Sequence, residues 1–487
     1  MEEQNGDRPE LEVAIVGAGM SGMAMAIELR KAGIENFRIF EKADSIGGTW
    51  RENRYPGLSC DVPSFFYSYS FEPNLDWTHR FSPGHEILAY FKRVAEKCDL
   101  LRSISFGESV ERASYEDGAW TIETSAGNRC RAEVLVAATG PLHHKNYPEI
   151  EGLDSFEGAQ FHSADWDDDL DLNDKRIGVI GNGSTGVQMM RPLSEKASQL
   201  TMFQRTAQWV FPIGNKPYSE GARKWKRRLP ILARITREFY KRLFEMSSVG
   251  VVEEGYFRRR MAKGCRDHVM TIEDPELRAK LTPDYEPGCK RLILSTDFYP
   301  TMAKEHVDLV TEDIARIEPR GVVTSDGALH ELDVLVLATG FNAHAWGVEQ
   351  VTGIGGRSLK DAWAQGTRTY RAITIPDFPN FFMLAGPNSP LGNISVIDVA
   401  ETQSRYIVDC IRRLKREPGR VMVPKRAAAE AFHAELIGAM KGTIWVSGCN
   451  SWYLDGDGFP VLWPWSARRF HDVMRSPEFE DYEFMSA

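Results

Sequence analysis

The chain has 487 residues, of which 42% are hydrophobic and 26% are charged, and its formal net charge is −10. This composition is typical of a globular protein with a sizeable core, and the length predicts about three domains at roughly 150 residues each. The negative charge argues against nucleic-acid binding, and no apolar run reaches the ~18 residues of a membrane span.

The first ten residues and the cysteines give an indication of the cellular compartment in which the protein acts. Residues 1–10 are acidic and polar, unlike a signal peptide with its basic start and apolar middle, so we expect a cytoplasmic protein. No CxxC or CxxxxC pair occurs, so we expect reduced thiols without a disulfide framework or redox-active dithiol. Oligomeric state stays open. The seven cysteines are Cys60, Cys98, Cys130, Cys265, Cys289, Cys410 and Cys449.

The first apolar run leads into a glycine-rich turn. EVAIVG is followed by a GxGxxG pattern, the helix-like MAMAIELRKAG and the strand-like FRIFEK. Such a βαβ unit binds a dinucleotide, because glycines let the backbone approach a pyrophosphate and the helix N-terminus supplies amide donors. Glu41 lies 24 residues after the first glycine and is placed to accept from a ribose hydroxyl. The glycines are Gly17, Gly19 and Gly22.

A second copy follows the run RIGVIG. It carries a GxGSTG turn, a helix-like segment and the strand LTMFQRT. Arg205 lies 24 residues after the first glycine of this turn, the register that Glu41 has in the first. A guanidinium there binds a 2′-phosphate, so this site should prefer NADP over NAD. The alternative is a solvated cation at a strand end. The turn residues are Gly181, Gly183, Ser184, Thr185 and Gly186.

Two nucleotide sites of opposite character predict a flavoenzyme, with FAD in the first site and NADPH in the second. Two apolar runs, EVLVAATGP and DVLVLATGF, mark where the chain leaves and re-enters the FAD domain. The predicted fold class is therefore α/β, with two Rossmann-like domains, the NADP domain inserted in the FAD domain, and a helical insertion. The predicted boundaries are 1–148 and 333–487 for the FAD domain, 149–332 for the NADP domain and 218–275 for the helical insert.

Two longer sequence patterns resemble motifs of a known protein family. Gly48-Thr49-Trp50, followed by Tyr-Pro-Gly and Asp61, resembles a gapped motif of the Baeyer–Villiger monooxygenases. FEGAQFHSADWD, just before the second turn, is similar to that family's fingerprint FxGxxxHxxxW. The resemblance covers about residues 11–473. It implies that His162 and Trp166 lie in the linker between the dinucleotide domains and couple domain movement to cofactor binding.

The same resemblance implies site residues. GCKRLILSTDFYP is similar to the segment that brings the catalytic arginine to the flavin, which assigns that role to Arg291, with Asp61 orienting it. The alternatives are a turn-forming aspartate and an exposed basic pair. NADPH would reduce FAD, and dioxygen would form a flavin C4a-peroxide that converts a ketone into an ester or lactone. The remaining residues so implied are Lys290 and Thr206 beside the 2′-phosphate, and Gln188 and Trp452 at the nicotinamide.

Three other functions stay open. A relative that oxygenates nitrogen or sulfur shares the cofactors, although the Asp61 and Arg291 pair speaks against it. An NADPH-dependent disulfide reductase shares the layout, but the sequence lacks its cysteine pair. The third is a non-enzymatic flavin-binding protein. No metal is expected, and the expected partners are a small ketone and dioxygen, without nucleic acid or an integral membrane segment.

The helical insert is basic and apolar, and it is a candidate roof for the active site. Large apolar residues recur in it near helical spacing, which we interpret as a packed face in preference to a membrane-surface helix. These residues are Trp225, Leu229, Leu232, Ile235, Phe239 and Leu243.

Overall fold

The computed structural model describes residues 9–343, 345, 350–449, 451, 453–454 and 461–487. Within these residues the strands in chain order are β1 Leu11–Val16, β2 Phe37–Glu41, β3 Ile104–Phe106, β4 Val110–Glu116, β5 Ala119–Thr124, β6 Arg129–Ala137, β7 Ala159–His162, β8 Arg176–Ile180, β9 Gln199–Phe203, β10 Val210–Phe211, β11 Ile293–Leu294, β12 Val307–Val310, β13 Ile314–Glu318, β14 Gly321–Thr324, β15 Leu329–Glu331, β16 Val334–Leu337, β17 Val351–Thr352, β18 Phe381–Met383, β19 Arg420–Pro424 and β20 Tyr482–Ser486. The α-helices are α1 Met20–Lys31, α2 Thr49–Glu52, α3 Gly84–Lys97, α4 Ser184–Ser194, α5 Glu220–Arg228, α6 Pro230–Val252, α7 Tyr256–Val269, α8 Pro275–Lys280, α9 Phe298–Met302, α10 Leu359–Ala362, α11 Val396–Leu414, α12 Arg426–Met440 and α13 Ala467–Val473.

The first sheet carries the first glycine-rich turn. Its order is β17-β4-β5-β6-β1-β2-β3, and β18 also pairs with β6. β1 runs parallel to β2 and β6, and Val13, Ala14 and Ile15 are all buried. An uninterrupted apolar run is expected in a parallel strand, since both faces of such a sheet are covered. α1 returns from the turn and packs against α11.

The second sheet carries the second turn and is parallel throughout, in the order β12-β9-β8-β16-β7. All of its strands fall between β6 and β17 in sequence. This arrangement confirms the predicted α/β fold, in which one dinucleotide-binding domain is inserted in the other. The predicted return to the FAD domain at residue 333 is too early, because β16 belongs to the second sheet and the chain rejoins the first sheet only at β17.

The helical insert contains α5, α6 and α7, and the packed face predicted for it is wrong. Five of the six residues predicted to pack, all except the partly buried Leu232, are exposed. The buried side of α6 instead contains Ala233 and Arg237. Periodicity detects a stripe on a helix but does not reveal which side faces the protein. Among the described residues, no helix combines the length and apolarity that crossing a bilayer requires.

The expectation that every cysteine is a free thiol is also wrong. Cys289 and Cys449 form a disulfide across 160 residues of sequence, and the other five cysteines are free. Spacing along the chain could not indicate this bond, because the two residues meet only through the tertiary fold. The disulfide joins the segment just before Lys290 to the C-terminal region.

Candidate active site

In the first glycine-rich turn, the first and third glycines pack so closely that a side chain would not fit at either position. Gly17 has a φ of +103°, and a Cβ built there would lie 2.7 Å from the carbonyl oxygen of Ala138. A Cβ on Gly22 would lie 1.9 Å from the carbonyl oxygen of Gly17. Gly19 differs, since the nearest atom to its Cβ is the Cα of Gly48, at 3.8 Å. Gly19 and Gly48 therefore form a cradle without side chains, which fits a dinucleotide pyrophosphate.

Glu41 is buried at the end of β2, and main-chain amides hold its carboxylate. Ala18 donates its N–H to Oε2 at 2.7 Å, and Ala43 donates to Oε1 at 2.9 Å. Each carboxylate oxygen has about two acceptor positions, so each can still accept a hydroxyl. The carboxylate is thus fixed beside the turn and able to bind a ribose, although that contact stays a prediction.

The other wall of this cradle begins at Gly48, whose φ is +51°. Thr49 and Trp50 start α2 immediately after it. The indole N–H of Trp50 donates to the hydroxyl of Tyr67 at 3.0 Å, and the two rings meet edge to face. The predicted cofactor-binding segment is therefore rigidly held next to Gly19.

The second turn repeats this geometry after β8. Gly181 has a φ of +109°, and its Cβ would lie 2.4 Å from the carbonyl oxygen of Ala338. A Cβ on Gly186 would lie 2.1 Å from the carbonyl oxygen of Gly181, whereas one on Gly183 would have nothing within 4 Å. The middle glycine again faces free space, which fits a second dinucleotide at the N-terminus of α4. The helix begins with Ser184 and Thr185.

Arg205 and Thr206 follow β9 beside the second turn, and Lys290 interacts electrostatically with Arg205. Arg205 is exposed just beyond β9, and the carbonyl of Thr206 accepts from the side-chain amide of Asn182 at 2.8 Å. Burial lowers the pKa of Lys290, and the charge of Arg205 lowers it further. Two cations that repel each other favour an anion between them, so this corner fits the predicted 2′-phosphate.

Arg291, the next residue, contacts the first half of the chain instead. Its Nε and Nη2 donate to Oδ2 of Asp61 at 2.9 and 2.5 Å. The side chains are about one-third exposed, at 34% and 28%. The charge of Asp61 raises the pKa of Arg291 above its usual range, although burial opposes that shift. The fold thus brings the two predicted catalytic residues together and keeps the guanidinium charged.

A cleft of about 790 Å³ lies beside Asp61. Its walls include residues 53–61, part of α4 and residues 293–298. The volume falls within the roughly 300–1,000 Å³ of small-molecule sites. The cleft therefore runs between the segment that carries Asp61 and the segment that follows Arg291.

Gln188 connects the two walls of the cleft. Its side-chain amide donates to the Ser59 carbonyl at 3.0 Å and accepts from the Tyr55 hydroxyl at 2.9 Å. Burial raises the pKa of Tyr55 to about 12, so this hydroxyl stays protonated and can donate. Gln188 therefore fixes α4 against the loop that contains Asp61, and its predicted contact with the nicotinamide is untested.

Comparison with known proteins decides the family. Residues 14–219 match the family described as "Pyridine nucleotide-disulphide oxidoreductase". The chain is 47% identical to an uncharacterized monooxygenase of Mycobacterium tuberculosis, over 97% of this chain and 95% of that protein. It is 38% identical to a Baeyer-Villiger monooxygenase of Streptomyces coelicolor, over 100% of this chain and 95% of that protein. The structure resembles that of OTEMO in complex with FAD and NADP, with a TM-score of 0.87 and 27% identity over 98% of this chain and 100% of that chain.

The chain belongs to the Baeyer–Villiger monooxygenases. The predicted family, the monooxygenase activity and the use of FAD and NADPH are thereby confirmed. The disulfide-reductase hypothesis is not supported by the full-length relatives, which are monooxygenases.

The fingerprint histidine of this Baeyer–Villiger monooxygenase is buried at the end of β7, the edge strand of the second sheet. Nδ1 of His162 accepts from the Ala164 amide at 3.1 Å, which leaves the proton on Nε2 to be donated to the Gly340 carbonyl at 3.0 Å. Burial lowers the pKa of His162 and favours this neutral form. Trp166 is also buried, and its carbonyl accepts from Arg54 at 3.2 Å. These contacts join the segment after β7 to the residues after β16 and to Arg54, and the predicted role in coupling the domains stays a prediction.

Sequence reasoning missed Tyr453 as a residue of this site. It is buried and interacts with Arg291, whose charge partly offsets the rise that burial causes in the Tyr453 pKa. The motif SWYLDGDG was recognised, but the predicted nicotinamide contact in it was Trp452, which lies outside the described residues. Only the folded chain shows that the next residue meets the arginine.

Proposed function

We propose that this Baeyer–Villiger monooxygenase converts a small ketone into an ester or lactone, and that Arg291 and Asp61 are its catalytic pair. The carrying observation is the paired hydrogen bond from Arg291 to one oxygen of Asp61 beside the cleft. Asp61 lines this cleft of small-molecule size, and the hydrogen bonds from Arg291 to Asp61 hold the guanidinium next to it.

Arg291 supplies a permanent positive charge. A guanidinium has five N–H donors and does not lose its proton at any relevant pH, and Asp61 uses two of those donors. Other N–H groups of Arg291 can stabilise negative charge that develops on oxygen during attack on a carbonyl carbon. Asp61 orients the guanidinium, and its own second oxygen stays available to solvent or substrate.

FAD, when bound, supplies the transfer of electrons from NADPH to dioxygen. We assign FAD to the cradle of Gly17, Gly19, Gly22, Gly48 and Glu41, because the middle glycines leave room for a pyrophosphate. NADPH is assigned to the second turn, where Arg205, Thr206 and Lys290 bind its 2′-phosphate. Gln188 and Trp452 are assigned to its nicotinamide half.

The domain division proposed with these sites is 1–148 for the first part of the FAD domain and 149–332 for the NADPH domain, which β16 extends to Leu337. The chain from β17 to residue 487 forms the second part of the FAD domain. His162 and Trp166 are assigned to the linker as residues that couple the domains. The neutral histidine supports that role, because it already donates and accepts one hydrogen bond each. It is not assigned as a catalytic acid or base.

The test is product analysis by mass spectrometry, with NADPH and a panel of cyclic, aromatic and long-chain ketones. We expect a product that is one oxygen atom heavier than its ketone, with NADPH consumption that the ketone stimulates. An organic sulfide is assayed in parallel. Turnover of the sulfide with no ketone product would contradict the proposal, and so would NADPH oxidation that no ketone accelerates.

We also propose that the enzyme acts in the cytoplasm. The disulfide between Cys289 and Cys449 would be unusual there, because structural disulfides are rare in the cytoplasm. Cell fractionation with thiol labelling tests it. Recovery of the enzyme outside the cytoplasmic fraction would contradict it.

A further inference from the structure

Helix α6 is held to the protein by one side only. Ala233 and Arg237 are buried on that side, and Arg237 lies 3.7 Å from Asp398 of α11. Lys241 lies 3.2 Å from the same carboxylate, and His471 lies 3.0 Å from it. This cluster of charged groups anchors α6, so the orientation of the helix is fixed by buried ionic contacts.

The opposite side of α6 is an exposed apolar stripe. Five large apolar side chains project there at intervals of three or four residues, and each is between 50% and 60% exposed. At 1.5 Å per residue the stripe is about 22 Å long. Soluble surfaces normally scatter such residues singly, so a continuous stripe indicates an interaction surface. Its residues are Ile231, Ile235, Phe239, Leu243 and Met246.

The residues just before the stripe in sequence are also apolar and exposed, and the whole segment is positively charged. Trp225 and Leu229, in and after α5, are also exposed. Residues 218–252 contain nine Lys or Arg and three Asp or Glu, in a chain whose formal net charge is −10. Within the described part of the chain, four exposed cations here have no acidic partner within ion-pair distance. These cations are Lys224, Arg228, Arg234 and Arg242.

We propose that α5 and α6 dock this enzyme on the surface of an anionic lipid bilayer. Apolar side chains would enter the boundary between headgroups and acyl chains, while the cations bind lipid phosphates. Arg242 falls within the angular range of the stripe on α6, and Arg234 is also exposed on this helix. The same charges would keep the helix at the surface.

Charge decides between a bilayer and a second copy of the chain. Self-association through this face would bring two positively charged helix pairs together, and like charges destabilise such a contact. An anionic lipid surface instead attracts each Lys or Arg close to it. The stripe is also a single convex helix, which offers no groove for a partner helix.

The experiment is sedimentation of the holoenzyme with lipid vesicles. One set is phosphatidylcholine, and the other has half of that lipid replaced by phosphatidylglycerol. We expect binding to the anionic vesicles and little to the neutral ones. Binding should largely disappear in 1 M salt, where the Debye length is about 3 Å.

Two variants separate the apolar and the charged contributions. Ile235→Ser with Phe239→Ser should weaken vesicle binding at least about tenfold, because two buried apolar side chains are lost. Arg234→Glu with Arg242→Glu should abolish the preference for anionic lipid. The matched control is Leu101→Ser with Met270→Ser, two exposed apolar residues elsewhere, and it should bind as the wild type does. Retained FAD absorbance and an unchanged melting temperature show that each variant is folded.

Three results would overturn the proposal. The first is equal binding of wild type to neutral and anionic vesicles, or none to either. The second is wild-type binding by the stripe variant. The third is a dimer, detected by light scattering, that the stripe variant converts to monomer while vesicle binding is unaffected, since a second copy would then occupy the face.

Discussion

Glu41 stands beside the first glycine-rich turn, whereas Arg205 stands at the matching position of the second. The two backbones are nearly the same: the first glycines have φ values of +103° and +109°, and the middle glycine of each faces open space. The surroundings differ. Glu41 is buried and held by two main-chain amides from its own domain, whereas Arg205 is exposed and lies close to Lys290 from a distant segment.

This difference shows how one βαβ frame can bind two nucleotides. The frame supplies the space for a pyrophosphate, and a residue at or just beyond the end of the second strand is placed to select the ribose substituent. Near the second turn, the segment from Cys289 to Arg291 adds further cations and interacts with both halves of the chain. Lys290 lies near the second turn, while Arg291 binds Asp61. These neighbouring cations therefore interact with different halves of the chain, and the proposed function assigns them to different steps.

The largest expected effect separates those neighbours. Arg291→Ala should still bind FAD and be reduced by NADPH, yet form product about 100- to 1,000-fold more slowly, because a preorganised charge is lost from oxygenation. Arg291→Lys should not restore the rate fully, since an ammonium lacks the planar fork that Asp61 aligns. Stopped-flow measurement of both half-reactions, with product yield, tests this.

The control for that experiment is Lys290→Ala, which should raise the KM for NADPH and leave the product formed per NADPH unchanged. If Arg291→Ala forms product at nearly the wild-type rate, Arg291 is not the catalytic cation. The division of roles between Lys290 and Arg291 would then be wrong.

A second test compares the middle glycines. Gly19→Ala should impair FAD retention, and Gly183→Ala should impair NADPH binding while FAD stays bound. Neither residue has a positive φ or a close neighbour, so both variants should fold. A methyl group that crowds a well-fitted ligand costs about 1–3 kcal/mol, or roughly five- to 150-fold in affinity. Flavin absorbance after desalting and titration with NADPH measure the two effects; equal FAD loss in both variants would argue against separate sites.

A third test concerns the charge that distinguishes the turns. Arg205→Ala should weaken NADPH binding about tenfold or more and change NADH binding little, because a charge-assisted hydrogen bond contributes about 1.5–3 kcal/mol. KM values for both coenzymes check this. The matched control is Lys175→Ala. Lys175 is an exposed cation just before β8, at the end of that strand opposite to the glycine-rich turn. Similar losses for NADPH and NADH would show that Arg205 does not read the 2′-phosphate.

The smallest expected effect concerns His162, at the end of β7 and between the two turns in sequence. Burial lowers the pKa of His162, so the unfolded chain binds a proton near its ordinary pKa of about 6.5 while the folded chain does not. This contribution to stability is present above about pH 6.5 and is lost as the pH falls, at about 1.4 kcal/mol per unit of pKa shift.

His162→Gln should therefore flatten the fall of the melting temperature between about pH 8 and pH 5. The control is His85→Gln, which changes an exposed histidine. An unchanged slope in the His162 variant would mean that other groups cause the acid sensitivity.

Local sequence was sufficient for the two nucleotide turns and the charges beside them. Glycine spacing, apolar strands and the register of Glu41 and Arg205 all act within about 30 residues, and each has a direct chemical meaning. The family patterns also pointed to Arg291 and Asp61. Such features are predictable because one short segment contains both the geometry and the ligand-binding groups.

The other features of the site depend on contacts between segments that are distant in sequence, which only the tertiary structure determines. The pairing of Arg291 with Asp61 at 2.5 Å, the contact with Tyr453 and the disulfide from Cys289 to Cys449 join segments about 150 residues apart or more. The outward direction of the α6 stripe depends on Arg237 reaching Asp398. A sequence pattern records which residues are apolar or charged along one segment. Which surface that segment meets depends on how separate segments pack, because burial and ion pairing are properties of both partners.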